Sequence, residues 1–272
     1  MVPRALTIAG SDSGGGAGVQ ADLKTFTVLG VYGMSAITSI TVQNTLGVYQ
    51  VVDLPPEVVY EQIRVVVEDI GVDACKTGML SKEEIIRAVA KAVKDLKLEN
   101  LVVDPVMRAK SGDPLLREDA RRTLIKELLP LALVITPNIP EAQELCGFEI
   151  KSLEDMERAC KKIYSYGTSA VVVKGGHAEG EKVVDVFYDG QSFEYLEGKR
   201  VYTKNTHGTG CTFSSAVCAY LARGYSLREA LRHAKQYVQK AIETALPLGK
   251  GHGPLNHMWP FYNFETKATA TE

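Results

Sequence analysis

The chain has 272 residues, 45% hydrophobic and 24% charged, and a formal net charge of −2. That length supports a substantial core in one large α/β domain or two small ones, and the balance is ordinary for a soluble protein. The lack of a basic block argues against nucleic acid as a partner, and apolar runs as short as Leu131–Ile135 leave nothing to span a membrane.

Met1–Ile8 leads directly into a strand pattern, with no secretory signal before it. Leu6–Ala9 reads as a strand, followed by Gly-rich residues and a helix over about 17–29. Met34–Val42 and Val48–Asp53 are rich in β-branched residues and read as strands. Pro55 and Pro56 open a helix to about Ile70, with Gly71 as its stop. Further strands fall at Ala74–Lys76, Leu101–Val103, Leu133–Ile135 and Ala170–Val173. Helices over about 82–96, 118–128 and 153–166 lie among them. Asp189-Gly190 between Val183–Tyr188 and Ser192–Leu196 is a hairpin signal. The chain then turns helical over about 210–223 and 226–244. This alternation predicts an α/β fold: a mostly parallel central sheet, helices on both faces and a small β hairpin region. With no linker visible, a single domain over 1–262 is expected, with a loose tail over 263–272. The five cysteines are scattered and odd in number, with no CxxC, which points to reduced thiols in a cytoplasmic protein rather than disulfides or zinc.

In such sheets ligands sit beyond the carboxyl ends of the strands, so the residues just after each strand are the candidates. The first loop, "AGSDSGGGAGVQAD", fits neither the P-loop nor the dinucleotide fingerprint. It is either a tight strand-to-helix turn or a close approach to a ligand. Asp12 and Asp22 are candidates for a polar substrate, although Asp22 equally suits the first turn of a helix. Asp104 and Glu141 follow adjacent strands and have the oxygen ligands Mg²⁺ takes, while Glu141 is also favourable at a helix start. Lys174, before two glycines, suits a polyphosphate or is a plain surface lysine. His177 and His207 are weaker candidates: each is either a site residue or only a loop hydrogen-bonder, and no metal-ligand spacing links them. In "HGTGCT" the amides after Gly208 can form an anion nest at a helix N-terminus, and the same dipole lowers a thiol's pKa. Cys211 is then either an activated thiol or a small buried residue, and Cys218, two turns on, belongs to the core.

Taken together, "AGSDSGGGAGVQADLKT", "TSITVQNT", "KTGML", "DPVM", "TPNIPEA", "VVVKGGH", "HGTGCT" and "GKGHGPLNH" resemble the hydroxymethylpyrimidine/phosphomethylpyrimidine kinases of thiamine biosynthesis, in the ribokinase-like superfamily. The resemblance covers roughly residues 5–258. It implies a ribokinase-like fold, ATP and Mg²⁺ as cofactors, and a small-molecule substrate: 4-amino-5-hydroxymethyl-2-methylpyrimidine and then its monophosphate. By motif match Gln43 reads the pyrimidine edge and Met79 packs on the ring, with Gly10, Asp22 and Val42 lining the same pocket. Asn138 and Glu141 match an NxxE element linked to Mg²⁺ and phosphate. Lys174 meets the ATP phosphates. Gly208, Thr209, Gly210 and Cys211 match the anion hole, with Cys211 where most ribokinase-like enzymes carry Asp. A homodimer is expected by the same resemblance. The competing readings are a pyridoxal kinase of the same lineage and a non-catalytic pyrimidine-binding sensor.

Overall fold

The computed structural model describes residues 1–109, 112, 115–116, 118–177 and 181–261, apart from the side chains of Glu118 and His177. The tail expected over 263–272 and the His177 side chain therefore lie outside the described residues. Among the described residues the strands are β1 (Arg4–Asp12), β2 (Tyr32–Gln43), β3 (Val48–Asp53), β4 (Ala74–Thr77), β5 (Leu101–Val103), β6 (Val134–Ile135), β7 (Val171–Val173), β8 (Lys182–Tyr188) and β9 (Phe193–Lys199). They form one sheet in the order β3-β2-β1-β4-β5-β6-β7-β8-β9. The six strands from β2 to β7 in that order pair in parallel, while β3, β8 and β9 are antiparallel at the edges.

The short strands β5, β6 and β7 are apolar throughout because both faces of the sheet are covered. Leu101 and Val103 face one core and Val102 the other; Val171 and Val173 are divided from Val172 in the same way. Helices α1 (Gly18–Val28), α2 (Pro56–Asp69), α3 (Glu83–Asp95), α4 (Glu118–Thr123), α5 (Ile139–Cys146), α6 (Leu153–Tyr164), α7 (Thr209–Ala222) and α8 (Leu227–Glu243) supply that cover. The apolar residues of α2 to α6 pack into one core, and those of α1, α7 and α8 into the other. Cys218 is fully buried in the second, as its position on the helix predicts.

Two elements differ from expectation. The segment over 118–128 is an α-helix only to Thr123 and then widens into a π-helical turn over Leu124–Leu128, where Leu129 N donates to Leu124 O. Pro130, which has no N–H to continue the ladder, follows at once. The eight-residue α5 is too short to announce itself by periodicity; its signal is the Asn138–Glu141 cap. The topology fixes where the site falls. From β1 the chain first goes to β2 on one side, and later inserts β4 on the other. The carboxyl ends of β1 and β4 thus flank the crevice where the winding reverses.

Candidate active site

A cavity of ≈ 370 Å³ opens there, lined from the ends of β1, β2, β4 and β5 and from the start of α7. Its size suits a small organic ligand.

The anion end is built on the turn into α7. Gly208 has φ 81° and caps the helix; a Cβ there would lie 1.8 Å from Gly16 O, so only glycine fits. Thr209 N donates to Thr206 O, while the amides of Gly210 and Cys211 stand in the first helical turn, where no intrahelical acceptor exists. Lys174, just past β7, reaches the same place: a Cβ on Gly210 would meet its Nζ at 3.1 Å. Lys174 Nζ also lies 3.3 Å from Asp104 Oδ1. Burial disfavours this ammonium, but Asp104 and Glu141 outweigh it and raise the Lys174 pKa. Asp104 Oδ2 is buried and has no hydrogen-bond partner among the described residues. A buried carboxylate oxygen left open beside an ammonium fits a hydrated divalent ion. Glu141 also lines the cavity. Its carboxylate accepts from Asn138 N at 2.8 Å while Asn138 Oδ1 accepts from Glu141 N at 2.9 Å, a capping box at the start of α5. Burial, with Asp104 adding to it and Lys174 opposing, pushes the Glu141 carboxyl up to about 7. The Asn138–Glu141 pair is therefore first a helix start, and this presents both residues to the cavity. Among the described residues no group of three or more His, Cys, Asp or Glu gathers as a metal cage.

Cys211 lines this end, half-buried. The expectation of a thiol lowered by the helix terminus needs correction. Burial pushes the Cys211 thiol up to about 12, with Asp104 and Asp22 adding to the shift and Lys76 and the Gly18 amide opposing it. Desolvation outweighs the dipole, so the resting group is a thiol.

Gln43, Met79, Gly10, Thr41, Asp12 and His207 also line the cavity. Gly10 makes room for Met79, since a Cβ on Gly10 would lie 3.1 Å from the Met79 sulfur. Two expected pocket residues are misplaced. Val42 is 50% exposed and turned outward, because alternation along β2 sends Thr41 and Gln43 inward and Val42 to the far face. Asp22 is fully buried beneath the cavity and does not line it. It pairs with Lys76, whose Nζ is 3.1 Å from both carboxylate oxygens, and accepts from Thr7 Oγ1 at 2.6 Å and Ser215 Oγ. Lys76 opens the motif "KTGML", but no role is expected for it from the sequence. Its signal is a lysine inside the four-residue buried strand "ACKT". A Cβ on the cavity-lining Gly78 would be 3.3 Å from Lys76 Nζ, which puts this ammonium directly under the cavity floor. His207, left open between a site residue and a loop hydrogen-bonder, is buried beside Asp12 in the cavity wall.

The family model for phosphomethylpyrimidine kinase matches residues 12–256. The chain belongs to that family. It is 48% identical over 255 residues to the hydroxymethylpyrimidine/phosphomethylpyrimidine kinase of Bacillus subtilis, covering 93% of this chain and 94% of that protein. It is 49% identical over 253 residues to the thiamine biosynthesis bifunctional protein ThiED of Geobacter sulfurreducens, where it spans 52% of the relative's length. Among solved structures it is similar to an ADP complex of Bacillus subtilis pyridoxal kinase, with a TM-score of 0.90, 44% identity, and coverage of 96% of this chain and 100% of that one. The ribokinase-like architecture expected from the motifs is thus the architecture of the family. Among the described residues no helix is long and apolar enough to cross a membrane.

Proposed function

We propose that this chain transfers the γ-phosphoryl group of ATP to the hydroxymethyl group of 4-amino-5-hydroxymethyl-2-methylpyrimidine, and then phosphorylates the resulting monophosphate. One observation carries the reading: a single cavity is lined by an amide and a thioether together with a glycine turn, a lysine and two carboxylates. Gln43 offers both a donor and an acceptor, as an aminopyrimidine edge requires, and Met79 supplies an adaptable apolar surface for the ring. Lys174 and the Gly208, Thr209 and Gly210 turn hold the transferring phosphate, with Asn138 beside them. Phosphoryl transfer is catalysed mainly by positioning and charge neutralisation, and this end of the cavity is built for both. Mg²⁺, bound with the nucleotide, supplies further neutralisation there, and Asp104 and Glu141 are the side chains that would hold it. Cys211 stands at the turn to receive the hydroxymethyl proton as its oxygen attacks. The kinase is a single domain over 1–262. The deciding experiment incubates the protein with ATP, Mg²⁺ and the hydroxymethylpyrimidine and weighs the products. Mono- and diphosphorylated pyrimidine support the reading, while exclusive turnover of pyridoxal moves the chain to the activity named for its structural relative, and no turnover at all to a sensor.

Gln43→Ala is expected to lower kcat/KM for the pyrimidine by about tenfold or more, since losing a buried hydrogen-bond partner costs roughly 1–3 kcal/mol. Nucleotide affinity, measured by titration calorimetry, stays within about twofold, because Gln43 contacts Thr41 and His207 whereas Lys174 pairs with Asp104. An unchanged KM and kcat for the pyrimidine removes Gln43 from the site.

A further inference from the structure

The cavity wall around Gln43 contains a hydrogen-bond chain whose proton inventory fixes the Gln43 amide. Asp12 accepts on every side: Gly14 N donates to Oδ1 at 2.8 Å, and Gly16 N and Ala17 N donate to Oδ2 at 3.1 and 2.9 Å. His207 Nε2 lies 2.8 Å from the same Oδ2. Burial opposes ionisation of Asp12, yet His207 and the amides hold its carboxyl below the ordinary value. An ionised carboxylate has no hydrogen to give, so His207 carries one on Nε2 and directs it at Asp12. At the other end, Thr41 Oγ1 lies 2.8 Å from Ser11 O and 3.1 Å from the terminal atom of the Gln43 amide that stands as Oε1 in the structure. A carbonyl only accepts, so the single hydroxyl hydrogen goes to Ser11, and Thr41 Oγ1 faces Gln43 as an acceptor. The second terminal atom, which stands as Nε2, is 3.5 Å from His207 Nε2, whose hydrogen is already committed, so these contacts favour the amide turned over from the orientation in the structure. A nitrogen there sets one N–H against another. The oxygen and nitrogen of an amide are told apart by their partners, and here both partners require the same answer.

We propose that Thr41 and His207 are specificity-determining positioning residues that hold Gln43 with its NH₂ on Thr41 and its carbonyl oxygen on the His207 side. The backbone has no freedom to undo this. Gln43 N donates to Ser13 Oγ at 2.9 Å, Ser13 Oγ donates back to Gln43 O at 2.7 Å, and the pairing register with β3 shifts between Val42 and Gln43. The free N–H and the carbonyl oxygen then face the cavity in one fixed order, an edge that pairs two-fold with an amino group beside an unprotonated ring nitrogen. A 4-oxo pyrimidine presents the reverse, an acceptor beside a ring N–H, and the locked amide rejects it.

This inference rests on the proposed pyrimidine kinase activity. Its test compares kcat/KM for the 4-amino substrate and its 4-oxo analogue in the native protein, Thr41→Val, Thr41→Ser and Thr41→Ala. The native protein is expected to prefer the amino form by roughly 100-fold or more, since both hydrogen bonds are mismatched in the oxo form. Thr41→Val and Thr41→Ala free the amide to turn and shrink that preference by about tenfold or more, whereas Thr41→Ser keeps it. Because the readout is a ratio within one variant, a general loss of folding or activity cancels. Two variants lacking the hydroxyl keep the test open if one folds poorly. Preference unchanged in both overturns the inference alone. A native protein that phosphorylates neither pyrimidine overturns the inference together with the function on which it rests.

Discussion

Cys211→Ala is expected to lower kcat by about 10²-fold or more, the lower range of what a positioned general base contributes. The hydroxymethyl oxygen must lose its proton as it bonds to phosphorus, and Cys211 is the titratable group that the glycine turn places at that point of the cavity. Burial holds the thiol at about 12, so the active thiolate is a minor species at neutral pH. The sign of the pH dependence follows. A group that must be deprotonated, with a pKa far above the working range, gives a kcat/KM that climbs with pH, by roughly tenfold per unit, with no plateau below about pH 9. Cys211→Asp replaces the thiol by a much stronger acid; it restores part of the rate and makes the profile less steep. Direct transfer inverts configuration at phosphorus, whereas a thiophosphate intermediate on Cys211 would give retention by two successive inversions. A wild-type rate in Cys211→Ala, or the same pH profile in both proteins, reduces the thiol to a packing group and leaves the anion hole to act without it.

The second large effect is on stability. Lys76→Met is expected to destabilise the fold by about 3–5 kcal/mol, because it leaves the Asp22 carboxylate buried without its counter-ion. Both side chains are 0% exposed, so no water can take the place of the ammonium. Burial opposes the Lys76 ammonium, but Asp22, with Asp104 adding, outweighs it and raises the Lys76 pKa. Burial in turn raises the Asp22 pKa, against the pull of Lys76, Ser215 and Thr7. Asp22→Asn keeps an acceptor for the two hydroxyls and removes the charge. Adding it to Lys76→Met should therefore recover part of the loss, and urea unfolding of the two single variants and the double variant measures this as a coupling energy. A Lys76→Met protein within about 1 kcal/mol of the native stability would falsify the account, since a broken buried pair cannot cost so little.

The sequence alone determined the layered fold and the location of the chemistry. Runs such as Leu101–Val103 and Val171–Val173 mark parallel strands because only a sheet covered on both faces buries every side chain of a strand. The residues that follow those strands are the residues that line the cavity, because the winding reverses at β1. Local rules also marked glycine at 71 and 208, where φ is 81° in both cases. What needed the tertiary structure was the direction and environment of single side chains. Val42 and Gln43 are chain neighbours in one motif, yet the β2 pleat sends one to solvent and the other into the cavity. Asp22 reads as a polar candidate next to a glycine loop, but α1 packs it under the sheet end, where Lys76, 54 residues away, supplies the counter-ion beside the Thr7 and Ser215 hydroxyls. Cys211 sits at the helix terminus that the glycines announce, and its acidity is nevertheless set by how much water the surrounding chain removes. Periodicity and motif spacing record local geometry, whereas desolvation and pairing depend on segments that meet only when the chain has folded.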